Sequence, residues 1–194
     1  GIAGPVGPAT LNEGGIVMLG EGHSILVSGS TVSDNLNPAG GGGFGIRNRC
    51  SDFSTVEVTG SSEVNRNGYE GISVLRPIQC IVSNSQIIDN GHHGLYAGKY
   101  TLIEVDGQRV DPIVLSMHVT GSTIENNGQS VLWAGGNGIR VQGETEPPGV
   151  GTISDIVIEG ETVVNNSNEH GVSIEDIWPT GEDPAITLNG STFS

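Results

Sequence analysis

Positive charge is scarce in this sequence: seven Lys and Arg stand against 22 Asp and Glu, for a formal net charge of −15. Nucleic-acid binding relies on clustered basic residues, so no nucleic-acid partner is expected, and an anionic membrane surface is disfavoured for the same reason. Long apolar runs are also missing. None approaches the roughly 20 residues that span a bilayer, so no membrane insertion is expected. Two cysteines, Cys50 and Cys80, make no disulfide framework and match no zinc spacing; they leave the compartment open, and a bond between them as well. No loop has the Asp density of an EF-hand or of the nonapeptide Ca²⁺ repeats. No metal site or cofactor is therefore expected, and Ca²⁺, admissible on charge, has no motif behind it. Neither Met nor a signal peptide opens the chain, which starts at Gly1 and reads as a mature form or an excised piece.

Glycine, by contrast, is abundant, with 32 of 194 residues, and it falls at regular places. Residues 1–14 hold three Gly-x-y triplets, Gly1-Ile2-Ala3, Gly4-Pro5-Val6 and Gly7-Pro8-Ala9. They form a Gly/Pro-rich leader, either the remnant of a collagen-like trimeric stalk, whose crowded axis admits only Gly, or a plain extended segment. From 15 to 194 one unit recurs. A short strand of alternating apolar residues leads to a Gly-Ser/Thr corner, a further apolar residue, an Asn-bearing turn and a Gly-apolar-x-apolar strand. The corners at 25–29, 56–60, 80–84, 117–121, 156–160 and 186–190 align, with steps between 24 (84−60) and 39 (160−121) residues.

The short units leave no room for crossover helices, so successive units must wind as coils and pair each strand with its copy one coil on. The expected fold is all-β: a right-handed parallel β-helix of about six coils with loop insertions, stacked at roughly 4.8 Å per rung. Such a stack demands columns. Ile25, Val56, Cys80, Met117, Ile156 and Ile186 form one inward column; Val27, Val58, Val82, Val119, Ile158 and Leu188 form the next. Cys80 thus reads as a buried structural thiol. Asn35, Asn67, Asn90, Asn127 and Asn166 also fall in register and read as a ladder that turns the corner, using Asn's tolerance of the left-handed backbone.

The repeated Val-x-Gly-Ser-Thr-Ile-x-x-Asn-Gly and Gly-Ile-x-Val patterns resemble the right-handed parallel β-helix repeat proteins, the pectate-lyase-like superfamily, over roughly residues 15–194. That resemblance implies the fold and a wide range of functions: polysaccharide lyases, epimerases, hydrolases, phage tailspikes and surface adhesins. Residues 30–35 with 40–48 are similar to repeats of bacterial surface proteins. Neither the Asp-Pro-His-type motif of mannuronan epimerases nor the paired-Asp signature of polygalacturonases is present, so no family residue is carried over.

In the Gly-apolar-x-apolar strand the residue between the two apolar ones must face outward, giving the column Arg47, Ser73, Tyr96, Arg140 and Ser173. The residue before each Gly gives a second column: Phe44, Glu70, His93, Asn137 and His170. Five of the seven basic residues, Arg47, Arg49, Arg76, Lys99 and Arg140, lie on this strand or within five residues after its Gly. Few cations gathered on one face point to an acidic or hydroxyl-rich ligand, bound by Arg47, Ser73, Tyr96, Arg140 and His170 with Tyr96 stacking on a sugar ring. Insertions at 98–112, 129–137 and 142–151 could wall a groove; Trp133 in one of them, and Trp178, either contribute to it or pack over the coil.

The leading expectation is an extracellular structural or adhesive module of a surface or fibre protein. Its partners would be a polysaccharide or cell-surface glycan and other copies of itself, joined head-to-tail through open coil ends or as a trimer through the leader. The alternative is a small polysaccharide lyase or uronate epimerase. There His93, Lys99 or Tyr100 would abstract a proton beside Glu70 while Arg140 neutralises developing charge.

Overall fold

The computed structural model describes residues 14–20, 23–36, 42–50, 54–75, 79–98, 104–105, 108–109, 115–130, 135–142, 153–165, 167, 169–175 and 185–194. Residues 1–13, Arg76, Lys99, Tyr100, Trp133, Asn166 and Trp178 lie outside the described residues.

Three parallel sheets of six strands each run the length of the described chain. The first stacks Gly14–Gly20, Phe44–Cys50, Ile72–Leu75, Leu95–Gly98, Ile139–Gln142 and Val172–Glu175. The second stacks Ser24–Ser28, Thr55–Thr59, Gln79–Ser83, Leu115–Thr120, Ile153–Glu159 and Ala185–Asn189. The third stacks Thr31–Ser33, Glu63–Asn65, Gln86–Ile88, Thr123–Glu125, Val163–Asn165 and Thr192–Phe193. The chain visits first, second and third sheet in turn, six times over, so the protein is an all-β parallel β-helix of six coils, winding in the right-handed sense that parallel connections favour. Its first rung begins at Gly14, one residue into the expected leader. A two-stranded antiparallel hairpin, Glu104–Val105 with Gln108–Arg109, leaves the fourth coil.

The columns hold rung by rung. Ile25 pairs with Val56, Val56 with Cys80, Cys80 with Met117, Met117 with Ile156 and Ile156 with Ile186. Val32, Val64, Ile87, Ile124, Val164 and Phe193 make a third such column in the third sheet. Residues one apart on a strand face opposite sides, so the short strands send one or two side chains into the lumen, where they meet those of the other two sheets in a single apolar cluster; on the last rung Ile186, Leu188 and Phe193 keep the column but are exposed. Cys80 is a free thiol at 0% exposure, and burial pushes its pKa up to about 12.

Two polar ladders close the corners. At the first, Gly29, Gly60, Asn84, Gly121, Gly160 and Gly190 all take positive φ, between 47° and 65°, which favours Gly and next Asn. In two units an extra residue follows, Ser61 or Glu161, and it too adopts positive φ (61° and 60°). The insertion is thereby absorbed before Ser62 and Thr162, which rejoin the buried Ser85 and Ser122 in register.

At the second corner the left-handed residues are Asp34, Arg66, Asp89 and Asn126, each one position before the Asn ladder. The ladder residues themselves hold the coils together by hydrogen bonds rather than by backbone tolerance. Asn35 Nδ2 donates to Asn67 Oδ1 at 2.8 Å, Asn67 Nδ2 to Asn90 Oδ1 at 2.9 Å and Asn90 Nδ2 to Asn127 Oδ1 at 3.0 Å. The remaining N–H of each of Asn67, Asn90 and Asn127 goes to a third-sheet carbonyl one coil back: Val32, Val64 and Ile87.

This ladder helps explain the Gly at the head of three first-sheet strands. A Cβ on Gly45, Gly71 or Gly94 would meet the Nδ2 of Asn67, Asn90 or Asn127 at 2.7 Å. Close approach, not positive φ, is what demands glycine there.

Asn90→Ala should cost about 2–4 kcal/mol, because it strands the buried N–H groups of Asn67 and takes the amide donor from Asn127 Oδ1 and Val64 O. Asn35→Ala, at the half-exposed first rung, should cost about 1 kcal/mol or less. Urea titration of the two variants checks the ranking.

Candidate functional site

The outward column of the first sheet is as the alternation requires: Arg47 lies beside Ser73, Ser73 beside Tyr96, Tyr96 beside Arg140 and Arg140 beside Ser173. Val17 precedes Arg47 in the same column. Over it opens a cleft of about 410 Å³ lined by Arg47, Arg49, Glu70, Ser73, His93, Tyr96 and Arg140 together with Phe44, Tyr69, Leu75, His92 and Gln142. Of the expected ligand-binding residues, Arg47, Ser73, Tyr96 and Arg140 meet there. His170 is exposed and is not among the cleft's lining residues. Of the expected catalytic set, Glu70, His93 and Arg140 come together; Lys99 and Tyr100 lie outside the described residues.

The floor is more deeply set than an exposed turn would be. Ser73 is outward-facing yet only 2% exposed, and Glu70 and His93 are 4% and 2% exposed. What covers them is a continuous line of rings. The Arg47 guanidinium lies 4.1 Å above the Phe44 ring, Phe44 meets Tyr69 edge-on at 5.0 Å, and Tyr69 stacks on His92 at 4.8 Å with planes 8° apart. His92 then lies 3.8 Å from His93, and His93 stacks on Tyr96 at 5.6 Å. Tyr69 and His92 are held one above the other by the His92 N–H to Tyr69 C=O bond between coils (3.2 Å). Tyr96 folds back along its own strand over Gly98, where a Cβ would collide with the phenol, and its hydroxyl donates to Gln142 Oε1 at 3.1 Å.

Arg140 is anchored from the far side. Its Nη2 donates to Glu175 Oε2 at 2.8 Å, while Ser173 Oγ donates to Glu175 Oε1 at 2.5 Å; the Ser173 bond first, and then Arg140, hold the Glu175 carboxyl below its ordinary range. Arg140 Nε is buried and has no hydrogen-bond partner among the described residues. The guanidinium is thus oriented by one acid and left with donor capacity at the cleft.

Glu70 and His93 differ from expectation in their partners. Glu70 Oε1 lies 3.4 Å from His92 Nδ1, so its neighbour is His92, which is not among the expected site residues, rather than His93. Desolvation raises the Glu70 pKa, against the opposing pull of His92 and Arg47. Its Oε2 is buried with no hydrogen-bond partner among the described residues. His93 Nδ1 accepts the Asn137 N–H at 2.9 Å, which leaves the proton of the neutral ring on Nε2. Burial, then the neighbouring His92 and Arg140, push the His93 pKa down to about 3. Held neutral with Nδ1 occupied, His93 is fitted to donate a hydrogen bond, not to abstract a proton.

Glu70, His92 and His93 also offer three ligand atoms within 4.8 Å of one another. A metal ion fits this set poorly. The lone pair of neutral His93 is already committed to the Asn137 amide, and Arg47, Arg49 and Arg140 line the same cleft. The three cations suit an anionic group, and the neutral donors suit hydroxyls.

Compared with family models, curated proteins and solved structures, the chain gives no match. Fold and site therefore define its class: a parallel β-helix with a cationic, ring-lined cleft on the outward face of its first sheet.

The histidine's environment has a consequence for stability. A folded value of about 3 against the ordinary 6.5 means that the stability tied to neutral His93 is complete above pH 6.5 and is lost as pH falls toward 3, by about 1.4 kcal/mol per unit. His93→Asn, which keeps an acceptor for Asn137, should flatten this decline. Urea midpoints measured across that range check it; parallel profiles for the two proteins would contradict it.

Proposed function

We propose that this chain is a structural or adhesive β-helix module of an extracellular surface or fibre protein, and that its first sheet binds an acidic polysaccharide. The observation that carries the reading is the convergence of Arg47, Arg49 and Arg140 on one cleft in a chain of formal net charge −15. Arg47 and Arg140 are separated along the column by Ser73 and Tyr96, hence by three rungs, about 14 Å at roughly 4.8 Å per rung. A polyuronate laid along the coil axis would set carboxylates against the two guanidinium groups and a sugar ring beside Tyr96. A rigid solenoid suits such a role because its register fixes the spacing of the cations without any loop having to order on binding. Membership of the pectate-lyase-like superfamily is part of the proposal and rests on the repeat pattern.

One contact favours a second reading. The raised Glu70 carboxyl beside His92 is a pair of titratable groups of the kind that lyases and epimerases use for proton transfer, with Arg140 to neutralise a uronate carboxylate. In that case His92, not His93, is the proton acceptor. Release of unsaturated uronate from alginate and pectate, followed by ultraviolet absorbance, tests the lyase, and a change of C5 configuration, followed by proton magnetic resonance, tests the epimerase; neither product from any polyuronate removes the reading.

For binding, Arg140→Ala and Tyr96→Ala should each weaken the affinity for oligouronates about 10-fold or more by calorimetry, with binding falling as salt rises. Arg66→Ala should leave it unchanged, since Arg66 is engaged with Asp34 on the exposed second corner. Equal affinities for wild type and Arg140→Ala would overturn the assignment.

A further inference from the structure

We propose that Glu70 enters the complex as a carboxylic acid and donates from Oε2 to a carboxylate oxygen of the bound saccharide, so that the cleft takes up a proton together with its ligand. This rests on the reading of the cleft as an acidic-glycan site and adds to it the residue that reads the acid.

Glu70 Oε2 is buried in the cleft wall and has no hydrogen-bond partner among the described residues, while Oε1 faces His92 Nδ1 at 3.4 Å. Buried polar atoms are nearly always paired, because an unpaired one costs its full desolvation, so an incoming ligand that satisfies Oε2 gains what the free protein lacks.

The groups facing Glu70 then limit what that ligand is. From the strand Phe44–Cys50 come Arg47 and Arg49; from its own turn, Tyr69; from the next coil, His92 and His93, with Tyr96 beyond; from the strand Ile139–Gln142, Arg140. Three guanidinium groups select an anion. A carboxylate placed against Glu70 Oε2 and an ionised Glu70 do not coexist, since two carboxylates in contact do not both stay charged.

One of the two must take the proton. The ligand's carboxylate meets the guanidinium groups directly, whereas burial raises the Glu70 pKa toward the acid form against the opposing pull of His92 and Arg47. His93 cannot serve instead: its Nδ1 takes the Asn137 amide, so it enters as a neutral donor. The balance is simple. One solvent proton adds to Glu70 Oε2, no covalent bond of the ligand changes, and the ligand stays anionic. A neutral sugar would call for the opposite, an ionised Glu70 accepting from a hydroxyl, with no proton taken up.

The test is calorimetry of the full chain with an oligogalacturonate and with its methyl ester, in two buffers of unlike ionisation enthalpy, between about pH 5 and pH 8. The expected result is buffer-dependent heat corresponding to uptake approaching one proton per oligogalacturonate bound. Affinity should fall up to 10-fold per pH unit above the Glu70 value of the free protein. Glu70→Gln keeps a donor at the position and should bind with both the uptake and the pH slope abolished, its fold checked by circular dichroism.

Three results would overturn the proposal. Binding by wild type with no proton uptake disposes of it while leaving the glycan reading intact, and that result needs no variant. Uptake that persists in Glu70→Gln assigns the proton to His92. Failure of every oligouronate to bind, or an affinity unchanged by Arg140→Ala, takes away the glycan reading and this proposal together.

Discussion

The coil-to-coil hydrogen bonds of the asparagine ladder are the constraint on which everything else in this molecule depends. Each buried amide from Asn67 to Asn90 binds the next amide and a carbonyl of the coil behind it, so a shift of one coil against another by a single residue would break both at once. Backbone pairing alone does not fix register in short strands, and a one-residue slip would turn every lumen side chain outward. The ladder also accounts for glycine at Gly45, Gly71 and Gly94, since the amide occupies the space of a Cβ. Net attraction per bond is modest, about 1 kcal/mol, but a misplaced rung would leave many buried donors unpaired, and that asymmetry makes one register win.

The cleft follows from the same register. Because the strands that follow those glycines are locked, Arg47, Ser73, Tyr96 and Arg140 form a straight column, and the residues just before the glycines are drawn up beside it. Segment length between the ladder Asn and the Gly decides what stands there. The turns 67–71 and 90–94 are equally short and place Tyr69 on His92 in parallel, whereas the fourth coil runs from Asn127 to Gly138 and brings the Asn137 N–H onto His93. The result is an apolar wall that keeps water from Glu70 and His93, with cations above it. Burial shifts the acid up and the imidazole down, in each case away from the charged form.

Much of this is legible in the sequence, for stated physical reasons. Inward columns such as Ile25, Val56, Cys80 and Met117 can be read because strand side chains alternate with period two and the Gly-Ser corner gives a phase mark. The outward column needs only the same rule. Two things do not follow from periodicity. The left-handed residues of the second corner, Asp34, Arg66, Asp89 and Asn126, precede the asparagines rather than coincide with them, because backbone shape and side-chain bonding are separate demands met by separate residues. Side chains in the turns obey no alternation, so Glu70 pairs with His92 although it shares a column with His93. A signal for the missed pair existed: Tyr69 and His92 stand two residues before their glycines, an aromatic offset repeated on adjacent coils.

The proposal is that one register builds both the lumen and an anion-binding column on the first sheet. It is tested most directly by following the backbone amide resonances of the isotope-labelled chain during titration with an oligogalacturonate. Shifts concentrated at Arg47, Ser73, His93, Tyr96 and Arg140, with Asp34, Arg66 and the second sheet unmoved, are what the account predicts. Shifts centred on the Asp34–Arg66 corner, or none at saturating oligosaccharide, would contradict it.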